Sequence, residues 1–188
     1  VLTALLLIPI AIAVVFFGPP LAVRTALTVV AMLCLHECFQ LIASMGVKPF
    51  RPVGYAAGAV LIMTSEPIGP LLIAVTVALL ALTLQVERHQ LAIPTVAYTL
   101  FAVVYTCGPF ALARMLHELN PHWMFVVFVI NWVGDSAALY AGRVFGRNKL
   151  APSISPNKTW EGTIASLALG AAAGTGYLVY FEVSTLLW

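Results

Sequence analysis

The chain has 188 residues, of which 62% are hydrophobic and 9% charged, with a formal net charge of +2. Soluble domains carry roughly 25% charged residues, so an ordinary water-soluble surface is excluded. The small net charge decides little by itself, and no nucleic-acid partner is expected.

An apolar run, 1–17, opens the chain and closes at Gly18-Pro19-Pro20. With many later runs and no small-residue cleavage pattern, it reads as a retained helix rather than a signal peptide. Runs 21–45, 53–65, 68–86, 93–116, 122–142 and 162–182 follow. A helix needs about 20 mostly apolar residues to cross a bilayer, and each run meets or approaches that length. Run 53–65 is short and reads as a partial or tilted span. Pro19, Pro20, Pro49, Pro52, Pro67, Pro70, Pro94, Pro121, Pro152 and Pro156 fall at or between run ends, as residues that cost a helix interior a hydrogen bond should. Gly108-Pro109, inside a run, predicts a kink. The expected fold is all-α: a polytopic transmembrane helical bundle of about seven spans, with 1–188 as a single membrane domain. Starting at Val1 and stopping at Trp188 just after a run, the chain reads as a fragment.

Cys34, Cys38 and Cys107 lie in apolar runs and read as small packed hydrophobes, with no Cys/His cluster for a structural metal. With a cytoplasmic amino terminus and alternating spans, the inner side receives Lys48, Arg51, Arg88, Arg143, Arg147, Lys149 and Lys158. The outer side receives Arg24 and Arg114. That asymmetry follows the positive-inside rule and puts loop 143–161 on the cytoplasmic side of an integral membrane protein; a bacterial inner membrane is the expected location.

Ionisable groups inside spans need a reason. His36 and Glu37 read as an interfacial or helix-pairing couple. Glu66, beside Pro67, and His117, Glu118 and His122, around Asn120-Pro121, read as solvated. Asn131, Asp135, Ala138 and Gly142 recur at steps of four, three and four, so they share one small, polar helix face. Two readings of Asp135 stand: an interhelical hydrogen-bond network, or a carboxylate that holds a divalent cation such as Mg2+ near the cytoplasmic face. The small-residue face of Gly170, Gly174 and Gly176 permits close helix packing, including between two subunits of a homodimer.

The loop after Asp135 holds Arg143, Arg147, Lys149 and Lys158 with no acid before Glu161. Ser155-Pro156 reads as a helix start, Ser as N-cap and Pro at the first position, with Lys158 and Thr159 in the first turn. A helix amino terminus with added cations suits phosphate. The alternative is a topology signal with affinity for anionic lipid head groups.

Asp135-Ser136-Ala137-Ala138, Gly142-Arg143-Val144-Phe145-Gly146-Arg147 and the run Lys149-Leu150-Ala151-Pro152-Ser153-Ile154-Ser155-Pro156-Asn157-Lys158-Thr159-Trp160-Glu161-Gly162 together resemble the phosphatidate cytidylyltransferase (CDP-diacylglycerol synthase) family. The Leu5-Leu6-Leu7-Ile8-Pro9-Ile10 start and Glu37-Cys38-Phe39-Gln40-Leu41 are also similar, so the resemblance covers nearly the whole chain. Where Leu139 stands the family usually has Tyr or Phe. Members continue into a second motif, rich in acidic metal ligands, that has no counterpart here, so the chain resembles the first two thirds of such an enzyme and is expected to be nearly inactive alone. The resemblance implies a membrane nucleotidyltransferase that moves a cytidylyl group from CTP to phosphatidic acid, giving CDP-diacylglycerol and pyrophosphate. It implies Asp135 and Lys158 as catalytic, with Asp135 a ligand of Mg2+ whose further ligands lie in the absent part. Lys149, Ser155, Lys158 and Thr159 are then expected on phosphates, Arg143 and Arg147 on the lipid phosphate or pyrophosphate, and Glu161 on Lys158 or a metal-bound water. Two rivals stand beside it: a CTP-dependent lipid kinase, and an ion-coupled transporter that uses Asp135.

Overall fold

The structure is a computed structural model that describes residues 2–65, 68–83 and 92–186. Glu66 and Arg88, assigned above to an outer turn and to the inner side, lie outside the described residues. Helices stand at the seven apolar runs: α1 (Leu2–Phe17), α2 (Pro20–Ser44), α3 (Arg51–Met63), α4 (Ile68–Thr83), α5 (Ala92–Leu119), α6 (Pro121–Val144) and α7 (Trp160–Leu186). Among the described residues, α2, α5, α6 and α7 are long and apolar enough to cross a membrane. The fold is that of a helical integral membrane protein. At 13 residues α3 rises about 20 Å, short of a hydrocarbon core of about 30 Å, so the number of helices does not by itself give the number of crossings. Gly108-Pro109 does not end α5, which continues to Leu119.

Helix ends follow local chemistry. Pro20 and Pro121 occupy first-turn positions where no N–H is missed. Asn120 caps α6, its side-chain oxygen accepting from His122 N at 2.9 Å. α2 stops at Ser44, and the chain turns away two residues later at Gly46, whose φ of +84° favours glycine.

The coordinates group into two compact units, Val1–Leu119 and Asn120–Trp188. In the first, α2, α3 and α5 bury Leu35, Phe39, Ile62, Val103 and Cys107. A Cβ on Gly58 would lie 2.7 Å from Cys107 Sγ, so the missing side chain is what admits the thiol. Cys107 thus packs as expected, whereas Cys34 is exposed on the outer surface of α2.

His117 and His122, read as solvated, are half-buried and hydrogen-bonded, whereas Glu118 is exposed as expected but paired. Glu118 accepts from Arg24 and Arg114, each at 2.7 Å. Arg24 also donates to Met63 O at 2.9 Å and Ser65 Oγ at 3.0 Å, which ties α2, α5 and the end of α3 together. His117 Nε2 donates to Val15 O at 2.9 Å. His122, in the second unit, bonds Tyr177 Oη at 2.6 Å and stacks on Phe181. Apart from Arg114, one helical turn before Glu118, these partners lie far away in sequence, beyond the reach of local composition. His36 does pair helices: Gln40 on α2 donates to its Nε2 at 2.8 Å, so its Nδ1–H donates to Tyr55 Oη on α3 at 2.7 Å.

In the second unit α6 and α7 run antiparallel at close range. Gly162 sits against Ala138 O, Gly170 against Ile130 O, and Gly174 against the Ile130 side chain. Close approach by small residues drives helix association where lipid supplies no hydrophobic gain. Gly170 and Gly174 are therefore occupied by α6 of the same chain, while a Cβ added at Gly176 would meet open space.

Between these helices, within the all-α fold, lies one small antiparallel hairpin, β1 (Lys149–Ala151) and β2 (Ser155–Thr159), with Lys149 opposite Thr159 and Ala151 opposite Ser155. The helix start read at Ser155-Pro156 is thereby overturned. Pairing with β1 extends this backbone, and Pro156 is tolerated because a two-stranded ribbon is all edge. α7 begins at Trp160 instead, capped by Thr159, whose Oγ1 accepts from Gly162 N at 3.2 Å.

Candidate active-site cleft

The close helix pair opens where its small residues give way to the hairpin. There a cleft of about 710 Å³ opens. α6 contributes Asp135, Ala138 and Leu139, and β2 contributes Ser155, Asn157, Lys158 and Thr159. Leu150, with Gly162, Thr163, Ser166 and Leu167 of α7, completes the wall. Four residues singled out from sequence, Asp135, Ser155, Lys158 and Thr159, are thus brought to one cavity. Lys158 comes from a strand rather than from the expected first helical turn.

The hydrogen-bonding state of these groups is informative. Among the described residues, the ion pairs all involve Glu118, and Asp135 and Lys158 have no hydrogen-bond or ion-pair partner. Thr159 Oγ1 is engaged as the α7 cap, and Thr163 Oγ1 donates to Thr159 O at 3.0 Å. The cleft therefore offers one carboxylate, one ammonium and several hydroxyl or amide groups with capacity left for a ligand.

Arg143, Arg147 and Lys149 are exposed and do not line the cleft. Arg143 occupies the last turn of α6, where a cation complements the helix dipole, and Lys149 faces Thr159 across the hairpin. Among the described residues Glu161 does not pair with Lys158. It accepts from Asn148 Nδ2 at 2.8 Å and from Asn148 N at 3.1 Å, while Asn148 O accepts from Trp160 N at 3.0 Å. These three bonds pin the start of the hairpin to the start of α7 and so fix where β2 carries Lys158. Asn148 escaped the sequence reading because its role depends on a partner 13 residues away. Asn157 and Ser166 escaped it too. Asn157 sits inside the basic run beside Lys158, and Ser166 follows Gly162 at a step of four, signals that were legible but ordinary.

The donor set restricts what cation it suits. No group of three or more His, Cys, Asp or Glu occurs among the described residues. One carboxylate amid hydroxyls does not form an all-protein cage. It does fit Mg2+, which commonly keeps waters and substrate phosphates and takes one or two carboxylates.

The family model for the "Cytidylyltransferase family" matches residues 1–188. A phosphatidate cytidylyltransferase of Haemophilus influenzae is 43% identical over 60 residues, covering 32% of this chain and 20% of that protein. Proteins of the same name from Staphylococcus aureus (strain COL) and Staphylococcus saprophyticus are 28% and 27% identical over 141 and 117 residues, covering 71% and 62% of this chain and 54% and 45% of theirs. The chain spans at most about half the length of these relatives. No solved structure matches it.

Proposed function

The chain belongs to the cytidylyltransferase family, and from that premise we propose that it serves the transfer of a cytidylyl group from CTP to phosphatidic acid, giving CDP-diacylglycerol and pyrophosphate. The observation that carries this reading is the convergence of Asp135, Ser155, Lys158 and Thr159 on one cleft, with Asp135 and Lys158 unpaired.

In this reaction an oxygen of the lipid phosphate bonds to the α-phosphorus of CTP. The bond from that phosphorus to the oxygen bridging to the β-phosphate breaks, and pyrophosphate leaves with the electron pair. The nucleophile is already ionised at neutral pH, so no strong base is required. The demands are charge neutralisation and in-line placement. Lys158 supplies a fixed cation, and the Ser155 hydroxyl donates to phosphate oxygens beside it. Thr159 shapes the same wall while capping α7. Asp135 would hold Mg2+, which when bound neutralises phosphate charge. Lys149, Arg143 and Arg147 form the outer cationic ground for the lipid phosphate or the departing pyrophosphate. Glu161 acts through Asn148, holding the hairpin in place. The charge asymmetry of the loops supports a cytoplasmic cleft, and the bacterial relatives support a bacterial inner membrane, where CTP arrives from solution and the lipid from the side.

The test follows the label. With full-length protein and CTP labelled at the α-phosphorus, the lipid product should carry the label while unlabelled pyrophosphate is released. Label retained in CDP, with a γ-phosphoryl group on the lipid, would replace this reading with that of a lipid kinase.

A further inference from the structure

The cleft continues past Asp135. A second pocket of about 280 Å³ opens along α6 and α7 and shares Asp135, Ser166 and Leu167 with it. It is closed by Ile130, Asn131 and Ala171, which stand farther from the hairpin along their helices. The two spaces grade from a cationic end at Lys158 to an apolar end within the spans.

Two neutral polar groups line the deeper part with capacity left. Several helical hydroxyls in this chain return to the carbonyl four residues back, among them Thr28, Thr76, Ser136 and Thr163, at 2.6–3.0 Å. The Ser166 hydroxyl makes no such bond among the described residues. Its Oγ instead lies against Gly134, 2.9 Å from where a Cβ would stand. Asn131 gives one N–H to Val127 O at 2.7 Å and keeps the other.

Among the described residues no cationic side chain lines the deeper pocket, so a second phosphate is not its natural occupant. Two neutral donors beside aliphatic walls match a neutral acceptor that continues into hydrocarbon. The geometry points to a subsite for an ester carbonyl of the lipid substrate: Ser166 and Asn131 donate to ester oxygens while the lipid phosphate stays at the Lys158 end. This inference rests on the function proposed above and adds the place where the lipid backbone is recognised.

Steady-state kinetics of the full-length enzyme with diacyl phosphatidate and its dialkyl ether analogue test it. The ether keeps the phosphate and the chains but lacks the carbonyl acceptors. Wild type should show a KM for the diacyl lipid about three- to tenfold below that for the ether, as one or two neutral hydrogen bonds would give. Ser166→Ala and Asn131→Leu should each reduce that preference, the double variant should erase it, and none should move the KM for CTP. Equal use of both lipids by wild type, a preference left unchanged by Ser166→Ala, or a raised KM for CTP would overturn the subsite. A wild type that makes no cytidylylated lipid would instead overturn the function. Equilibrium binding of the two lipids would then decide the subsite, with tighter ester binding supporting it and equal binding refuting it.

Discussion

Two charged clusters, one in each compact unit, are handled in opposite ways. In the first, Arg24 and Arg114 close on Glu118 and Ser65, and the charges serve to tie α2, α3 and α5 together. In the second, Asp135 and Lys158 face one cleft and have no partner among the described residues. Charge that is closed on itself stabilises a fold and has nothing left for a ligand. Charge left open beside a cavity is available for one, and that contrast separates structural from functional residues more sharply than residue type does.

The contrast predicts two different mutational signatures. Asp135→Asn and Lys158→Ala should each lower turnover of the full-length enzyme by about a hundredfold or more, the scale for losing a preorganised electrostatic group, with little change in unfolding temperature. Glu118→Gln should do the reverse. It leaves Arg114, with a side chain only 4% exposed, without its counter-charge. Breaking a fully buried pair costs about 3–5 kcal/mol, and because Glu118 is 31% exposed the loss should be about 2 kcal/mol. Thermal unfolding in detergent reads this, and turnover per folded molecule should stay at the wild-type value. An activity loss in Glu118→Gln without a stability loss would break the distinction.

Smaller effects sharpen it within the second unit. Asn148→Ala releases Glu161 and loosens the hairpin, so turnover should fall about three- to tenfold, the worth of one or two hydrogen bonds, while the KM for CTP rises. Asn120→Ala removes only the α6 cap and should cost about 1 kcal/mol of stability with activity unchanged.

What could be read from the sequence follows from how local each cause is. The run 21–45 became Pro20–Ser44, and 122–142 became Pro121–Val144, because apolar length and proline act within a few residues. The sharing of a cavity by Asp135 and the following loop was also legible, since a short connection confines the loop to the end of its own helix. The hairpin was not. Ser155-Pro156 satisfies the local rule for a helix start, but pairing with Lys149–Ala151 decides the backbone, and that pairing leaves no mark at Ser155 itself. Partners were least legible of all. Glu118 meets Arg24 across 94 positions, and no pattern around either residue announces it.

The account stands or falls on Asp135 and Lys158 acting as one unit on the phosphates. The direct measurement is a double-mutant cycle on turnover of the full-length enzyme, with Asp135→Asn, Lys158→Ala and the pair together. Groups that serve a single charge-neutralising task are strongly non-additive, so the double variant should be scarcely slower than the slower single variant. Losses that multiply, or a single variant that turns over like wild type, would contradict it.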